Sequence, residues 1–143
     1  MTVAIKRVYE QPSPKDGARV LVDRLWPRGL TKESAALDAW LKELAPSDEL
    51  RKWYHAHPQE WSKFRERYLK ELSSEKANQA LQQLYEIRNT HRHLTLLFAS
   101  RNQERNNALV LKQLIDGDRK PPNGTGPLRA AAVKRAPAAA IRR

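Results

Sequence analysis

The segment Leu94-Thr95-Leu96-Leu97-Phe98-Ala99 constrains the fold most, because it is apolar on both of its faces. A strand of this kind has to be covered on both sides, as in the middle of a parallel sheet. Segments with apolar residues three and four positions apart stand before and after it, which is typical of amphipathic helices. The sequence therefore predicts a small three-layer α/β domain with a mainly parallel sheet.

Local signals predict the remaining elements. Two further strands are expected at residues 3–8 and 19–25, the second ended by Pro27 and Gly29. Residues 31–44 fit a helix or a strand, since both apolar spacings occur there. Helix starts are predicted from four signals: Ser47 before two acids, Pro58 as a first helical residue, Ser74, and Ser100 with Gln103 at capping-box spacing. Gly117 is the expected end of the last helix.

The chain of 143 residues fits one domain, residues 1–117, followed by a tail. Residues 118–143 are rich in Ala, Pro and Arg, and they hold seven of the 27 basic residues and one of the 16 acids. More than half of the net charge of +11 is therefore in this segment. We expect a disordered basic tail, which would attract polyanions without sequence preference.

Composition excludes several classes of protein. Without cysteine the chain has no disulfide and no thiolate nucleophile. It has no apolar run near the roughly 20 residues of a membrane helix, and its first residues carry charges where a signal peptide is apolar. We expect a cytoplasmic protein without a membrane partner, and no sequence feature predicts a cofactor.

The first candidate site follows the second predicted strand, in the loop Asp23-Arg24-Leu25-Trp26-Pro27-Arg28-Gly29-Leu30. The planar guanidinium groups of Arg24 and Arg28 suit a phosphate or a carboxylate. Gly29 lets backbone N–H groups approach an anion closely. Asp23 can orient Arg24 by an ion pair or accept a sugar hydroxyl. The alternative is a structural Asp–Arg pair, with Trp26 filling the core.

The second candidate site follows the buried strand, in residues 100–107. Ligands of parallel α/β sheets bind beyond the carboxyl ends of the strands, so this loop is expected beside the first. Arg101 adds charge, Ser100, Asn106 and Asn107 supply hydrogen bonds, and the start of the following helix favours an anion. The alternative is simple capping of that helix by Ser100 or Asn102.

The histidines and the aromatic residues favour structural roles. His55 with His57 and His91 with His93 have a spacing of two, but no carboxylate or cysteine completes a ligand set, so no metal site is predicted. The tryptophans, with Phe64 and Tyr68, are spaced for a core rather than for stacking on nucleic-acid bases.

Several ordered motifs resemble the DUF488 family in its YeaO-like branch. They are Asp23 to Gly29, Ala45-Pro46-Ser47 with Leu50-Arg51-Lys52-Trp53, the series His57, Trp61, Phe64, Arg67-Tyr68 and Glu71-Leu72, and Leu96 to Ser100 with Asn106 and Ala108. The resemblance covers about residues 3–116 and leaves the basic tail outside. It implies a Rossmann-like fold related to the rhodanese and phosphatase superfamily, in a group proposed to act on sugar, nucleotide or nucleic-acid-end phosphates.

The resemblance also marks a departure. Other branches of the family carry Cys-Glu after the last strand and Cys-His-Arg on the helix, where this chain has Phe98-Ala99-Ser100 and Asn106-Asn107-Ala108. In the YeaO-like branch a histidine commonly follows the asparagine, and here Asn107 replaces it. The expected proton carrier is therefore absent from that position.

Three functions follow from these features. The first is a pocket for a phosphorylated small molecule or nucleotide between the two loops, with Asp23 as the candidate general base if a reaction occurs. The second is non-catalytic binding of nucleic acid by the basic tail and a basic face of the domain. The third is a structural or interaction domain in which the arginines only brace the loop.

Overall fold

The computed structural model describes residues 2–116 of the chain. Within this range the elements are β1 (Thr2–Arg7), β2 (Ala18–Leu21), α1 (Lys32–Ala35), β3 (Ala39–Trp40), α2 (Asp48–Ala56), α3 (Trp61–Glu71), α4 (Glu75–Thr90), β4 (His93–Phe98) and α5 (Asn107–Ile115). Two 3-10 turns, Pro14–Asp16 and Lys42–Leu44, complete the connections.

The four strands form one sheet in the order β1-β4-β2-β3, and every neighbouring pair is parallel. Leu94 of β4 lies opposite Val3 of β1, and Leu96 opposite Val20 of β2, so the apolar strand is central, as predicted. Because all strands run the same way, their carboxyl ends meet at one edge of the sheet. We call this the carboxyl edge.

One face of the sheet carries the main core. Leu94, Leu96 and Phe98 pack there with buried side chains from α2, α3, α4 and α5. Each fully buried leucine or phenylalanine contributes about 1.5–3 kcal/mol relative to an exposed one. The long helices therefore fix the position of β4, from which the second candidate loop departs.

The opposite face has a thinner cover. Leu21 and Leu97 pack there against Trp26 and Trp40, whose rings meet edge to face at 5.3 Å between centroids. The segment that follows β2 therefore folds back over the sheet, so the layers on the two faces are unequal in thickness.

Arg19 and Asp16 form a buried ion pair, with 4% and 7% of their surfaces exposed. Arg19 Nη1 donates to Asp16 Oδ2 at 2.5 Å, and Arg19 Nη2 donates to the carbonyl of Ala35, at the end of α1, at 2.8 Å. Lys6 Nζ lies 3.0 Å from both carboxylate oxygens of Asp16. Burial alone would raise the pKa of Asp16, but these donors and the backbone N–H of Ser13 hold it below its ordinary value.

The predicted α/β class and parallel sheet are confirmed, and several boundaries were wrong. The strand predicted to reach residue 25 ends at Leu21, because the side chain of Asp23, not another backbone carbonyl, accepts from Ala99 N. Residues 31–44, left open between helix and strand, hold a short helix, a short strand and a 3-10 turn. Gly117 and the predicted tail lie outside the described residues.

Two predicted helix starts were also wrong. Pro58 belongs to a turn closed by Glu60 N and the carbonyl of His57, and α3 begins only at Trp61. Ser100 does not begin a helix, since Asn102 Oδ1 accepts from the N–H groups of Glu104 and Arg105 and holds them in a loop. The cap of α5 is Asn106, whose Oδ1 accepts from Leu109 N at 2.9 Å.

Candidate functional site

Asp23 lies at the centre of the carboxyl edge, where the two predicted loops meet. Its Oδ2 accepts from the backbone N–H of Ala99 at 2.9 Å, and its Oδ1 accepts from Asn107 Nδ2 at 3.2 Å. Burial raises the pKa of Asp23, while these two hydrogen bonds and the positive charge of Arg51 act in the opposite direction. The carboxyl group of the first loop is therefore held by the two ends of the second loop, and it is easier to protonate than an exposed aspartate.

Asn107 joins the start of α5 to β2. Its side-chain amide donates to the carbonyl of Val22 at 2.9 Å as well as to Asp23. An asparagine amide moves no proton at neutral pH, so this residue positions Asp23 and does not exchange protons with it.

Tyr68 of α3 is a core residue whose pKa responds to the charge of Asp23. Its ring is fully buried and its hydroxyl donates to the carbonyl of Leu44. The pKa of Tyr68 is raised well above its ordinary value by burial and by the charges of Asp23 and Glu71, against smaller effects of Asn107 and Arg24. Tyr68 is therefore a neutral hydrogen-bond donor at neutral pH.

Three arginines from three parts of the chain act on the pKa values of acidic groups in this half of the domain. Arg24 follows β2, lies close enough to act on the pKa of Tyr68, and donates from Nη2 to the carbonyl of Ala45 at 3.2 Å. Arg51 of α2 acts on the pKa of Asp23. Arg105 acts on the pKa of Tyr54, which burial raises. Arg51 therefore adds positive charge near Asp23 and Arg24 near Tyr68, while Arg105 does so near Tyr54.

Of the three arginines, only Arg51 forms an ion pair within residues 2–116. Arg51 Nη2 lies 3.2 Å from Asp48 Oδ1, and both side chains are about half exposed. Within residues 2–116, neither Arg24 nor Arg105 forms an ion pair, and Arg24 Nε is buried without a hydrogen-bond partner. The two other side-chain atoms in that condition belong to Glu86 and Arg88 of α4. The Asp23–Arg24 ion pair, one of two roles that the sequence left open for Asp23, does not form within residues 2–116, because the carboxylate accepts from Ala99 and Asn107 instead.

The other predicted residues are placed around Asp23 but do not all reach it. Arg28 is exposed, and its carbonyl accepts from the hydroxyl of Tyr9 at 3.0 Å. Gly29 has a φ of 84°, in the left-handed region. Ser100 and Arg101 are exposed, and Ser100 Oγ accepts from Asn102 N at 3.1 Å. None of these four residues forms a hydrogen bond with the Asp23 carboxylate, whose partners within residues 2–116 are Ala99 and Asn107.

Asn106 is committed to the fold. Besides capping α5, its Nδ2 donates to the carbonyl of Asn102 at 2.9 Å, and the residue is buried. Its amide is therefore occupied at both ends, and the sequence prediction of Asn106 as a ligand donor remains untested. Sequence reasoning missed Arg51 and assigned Tyr68 to the core, where it is buried, although both residues stand in the motifs of the resemblance.

Across residues 2–116, no cluster of three or more histidine, cysteine, aspartate or glutamate side chains is arranged to hold a metal ion. In the same range no helix has both the length and the apolar character that crossing a bilayer requires.

A family model described as the inactive DUF488-N3 subclade matches residues 2–127, which include all of the residues around Asp23. The chain belongs to the DUF488 family. The match covers both loops of the carboxyl edge and every strand and helix described above.

The chain aligns with nearly the full length of curated relatives. The uncharacterized protein YeaO of Escherichia coli K12 is 46% identical over 111 residues, which cover 78% of this chain and 94% of YeaO. The uncharacterized protein Rv3073c of Mycobacterium tuberculosis H37Rv is 43% identical over 116 residues, covering 80% and 94%. No solved structure matches the chain significantly.

Proposed function

We propose that this DUF488 protein is a non-catalytic domain that binds a small phosphorylated molecule at the carboxyl edge. The phosphate lies among the guanidinium groups of Arg24, Arg51 and Arg105, next to Asp23 and the start of α5. Arginine supports this assignment because its planar fork matches phosphate oxygens in pairs.

The observation that carries the proposal is the state of Arg24. A guanidinium group has five N–H donors, and within residues 2–116 Arg24 uses one, on the carbonyl of Ala45. Its side chain is partly buried, and no carboxylate of the described chain neutralises it. A partly buried, unpaired cation is costly, and an anionic ligand removes that cost.

The start of α5 adds to the positive electrostatic potential of the arginines. This helix of nine residues directs its N-terminus, at Asn106 and Asn107, toward the site, and a helix N-terminus carries partial positive charge. Asn107 fixes the distance between this helix end and Asp23. The helix and the three arginines therefore favour the same sign of ligand charge.

The groups present support a role without a chemical step. The chain has no cysteine, and both oxygens of Asp23 accept hydrogen bonds from the protein. Asn107 stands beside Asp23 and transfers no proton. The description of the matched family model as inactive agrees with this arrangement.

Calorimetry with inorganic phosphate, glucose 6-phosphate and adenosine monophosphate tests the proposal. A ligand at one hundred times its Kd stabilises the fold by about 2.7 kcal/mol, which a thermal shift detects independently. Arg24→Gln and Arg105→Gln are each expected to weaken binding about tenfold or more, the loss of one charge-assisted contact.

Arg92→Gln is the matched control, since Arg92 is exposed and precedes β4 at the opposite edge of the sheet. Equal affinity of the Arg24, Arg105 and Arg92 variants would show that the site is elsewhere. Ligand recovered unchanged after incubation supports a binding role, whereas hydrolysis or isomerisation contradicts it.

A further inference from the structure

Three segments at the carboxyl edge are tied into one rim. We define the arginine rim as residues 7–10, 24–30 and 99–105. Arg7 donates from Nε to the carbonyl of Ser100 at 2.9 Å and from Nη2 to that of Ala99 at 3.0 Å. Tyr9 donates to the carbonyl of Arg28, which joins the first segment to the second. The rim is therefore a connected surface rather than three independent loops.

The positive charge of the rim is carried entirely by arginine. Its three segments hold five arginines and no lysine, whereas nine lysines lie elsewhere in residues 2–116. Arginine is enriched at protein interfaces and lysine is depleted, because the guanidinium group is weakly hydrated and binds carboxylates in pairs. None of the five forms an ion pair within the described chain.

The rim also holds both large hydrophobic side chains that are exposed in the described chain. Leu25 is 64% exposed and Tyr9 is 42% exposed. The guanidinium of Arg7 lies 5.1 Å from the centroid of the Tyr9 ring, and the Tyr9 hydroxyl is fixed by its hydrogen bond to Arg28. Tyr9 is thus presented in a set orientation, which lowers the entropy cost of binding through it.

We propose that the arginine rim docks an acidic peptide segment of a partner protein, with Leu25 and Tyr9 contacting an apolar side chain of that segment. The carboxylates of the segment pair with Arg7 and Arg28. The proposed phosphate site uses two other arginines of the rim, Arg24 and Arg105, together with Arg51, so the two proposed ligands pair with different arginines.

Two features favour a peptide over a nucleic acid. Leu25, the more exposed of the two apolar side chains, buries surface against another apolar group but offers no aromatic face to a base. Glu10 and Glu104 stand in the rim among the arginines. A nucleic-acid backbone carries a charge at every nucleotide and meets repulsion there, whereas a peptide can place uncharged residues opposite these carboxylates.

Fluorescence anisotropy with the full chain tests the proposal. The probe is a labelled peptide with a central Leu-Phe pair between two runs of acidic residues, and the matched control peptide has Ser-Ser at its centre. The Leu-Phe peptide is expected to bind about tenfold more tightly than the Ser-Ser peptide. Leu25→Ser is expected to remove that difference, because it deletes the apolar contact.

Variants separate the rim from its surroundings. Arg28→Gln is expected to weaken peptide binding severalfold, Leu25→Ser to leave phosphate binding unchanged, and Arg92→Gln to change neither. Equal binding of the two peptides, or a preference that survives Leu25→Ser, overturns the proposal. The proposal is also overturned if the peptide does not bind, but oligo(dT) or an anionic vesicle does, and Leu25→Ser weakens that binding.

Discussion

The carboxylate of Asp23 and the side-chain amide of Asn107 meet at 3.2 Å across the carboxyl edge, and the same amide donates to the carbonyl of Val22 at 2.9 Å. One side chain thus satisfies two acceptors on the segment that leaves β2. It also fixes the start of α5 against the centre of the sheet. This contact joins the two loops that sequence reasoning placed on either side of one site.

Replacing Asn107 by alanine is expected to destabilise the fold by about 1–3 kcal/mol, because two acceptors lose their donor where water reaches them poorly. Urea denaturation measures the loss. Asn89→Ala, at an exposed position of α4, is the control and should change stability by less than about 0.7 kcal/mol. A loss no greater than that of the control would show that Asn107 contributes little to the junction.

Protonation of Asp23 is expected to strengthen binding of an anion at the proposed site. Burial places the pKa of Asp23 above its ordinary value, so the carboxyl group gains its charge at a higher pH than an exposed aspartate. Sulfate is the suitable probe, because it remains divalent over this range. Its affinity should fall as the pH rises through the pKa of Asp23, by roughly fivefold for about 1 kcal/mol of repulsion.

Asp23→Asn removes the titrating group and is expected to flatten that profile while keeping the size of the side chain. Calorimetry between acidic and neutral pH measures both proteins. A profile that is equally steep in the variant would assign the pH dependence to another group.

The central strand shows how far sequence reasoning reaches. Leu94 to Phe98 could be placed because burial on both faces leaves a direct mark on composition, and the parallel sheet followed from it. The meeting of the two loops followed from the same argument, since parallel strands end at one edge. The start of α5 could not be predicted, because Ser100 and Asn106 both have capping chemistry and only the tertiary fold decides between them.

Of the arginines at the site, one could be predicted from the sequence and another could not. Arg24 stood out because it lies with Asp23 and Arg28 in a polar stretch at the end of a predicted strand. Arg51 is seven positions C-terminal to Leu44 and three before Tyr54 on α2, and no local pattern relates it to Asp23. The relation is produced by packing of α2 on the sheet. Asn107 was interpreted as a lost proton carrier, whereas its geometry gives it the role of a donor to Asp23.

The buried ion pair of Asp16 and Arg19 predicts a large loss of stability when Asp16 is replaced by asparagine. Asp16→Asn keeps the shape but leaves Arg19 as an uncompensated buried charge, which costs about 3–5 kcal/mol. The control is Asp116→Asn, since Asp116 lies 3.0 Å from Lys112 with about half of its side chain exposed, and it should cost less than about 1 kcal/mol. Chemical denaturation at neutral pH compares the two, and similar losses would contradict the role given to the buried pair.

The same pair predicts that the stability of the fold depends on pH. Acid should weaken this stabilisation, whereas acid should strengthen anion binding through protonation of Asp23. The pKa of Asp16 is lower in the fold than in the unfolded chain. Its stabilising contribution is therefore present above the unfolded pKa and lost as the pH falls through the folded one. The difference in unfolding free energy between the protein and its Asp16→Asn variant should shrink in acid. A difference that stays constant down to the most acidic pH at which the protein folds would contradict this assignment.

Gly17 and Gly29 both have positive φ, at 66° and 84°, yet alanine is expected to act differently at the two positions. A Cβ at Gly17 would lie 2.2 Å from the backbone carbonyl oxygen of His93, which cannot move without disturbing β4. A Cβ at Gly29 meets nothing within 4 Å, so only backbone strain of about 1–2 kcal/mol remains. Gly17→Ala should therefore cost clearly more than Gly29→Ala in thermal denaturation, because it adds a backbone clash to the same strain. Equal losses would mean that the turn before β2 relaxes away from His93.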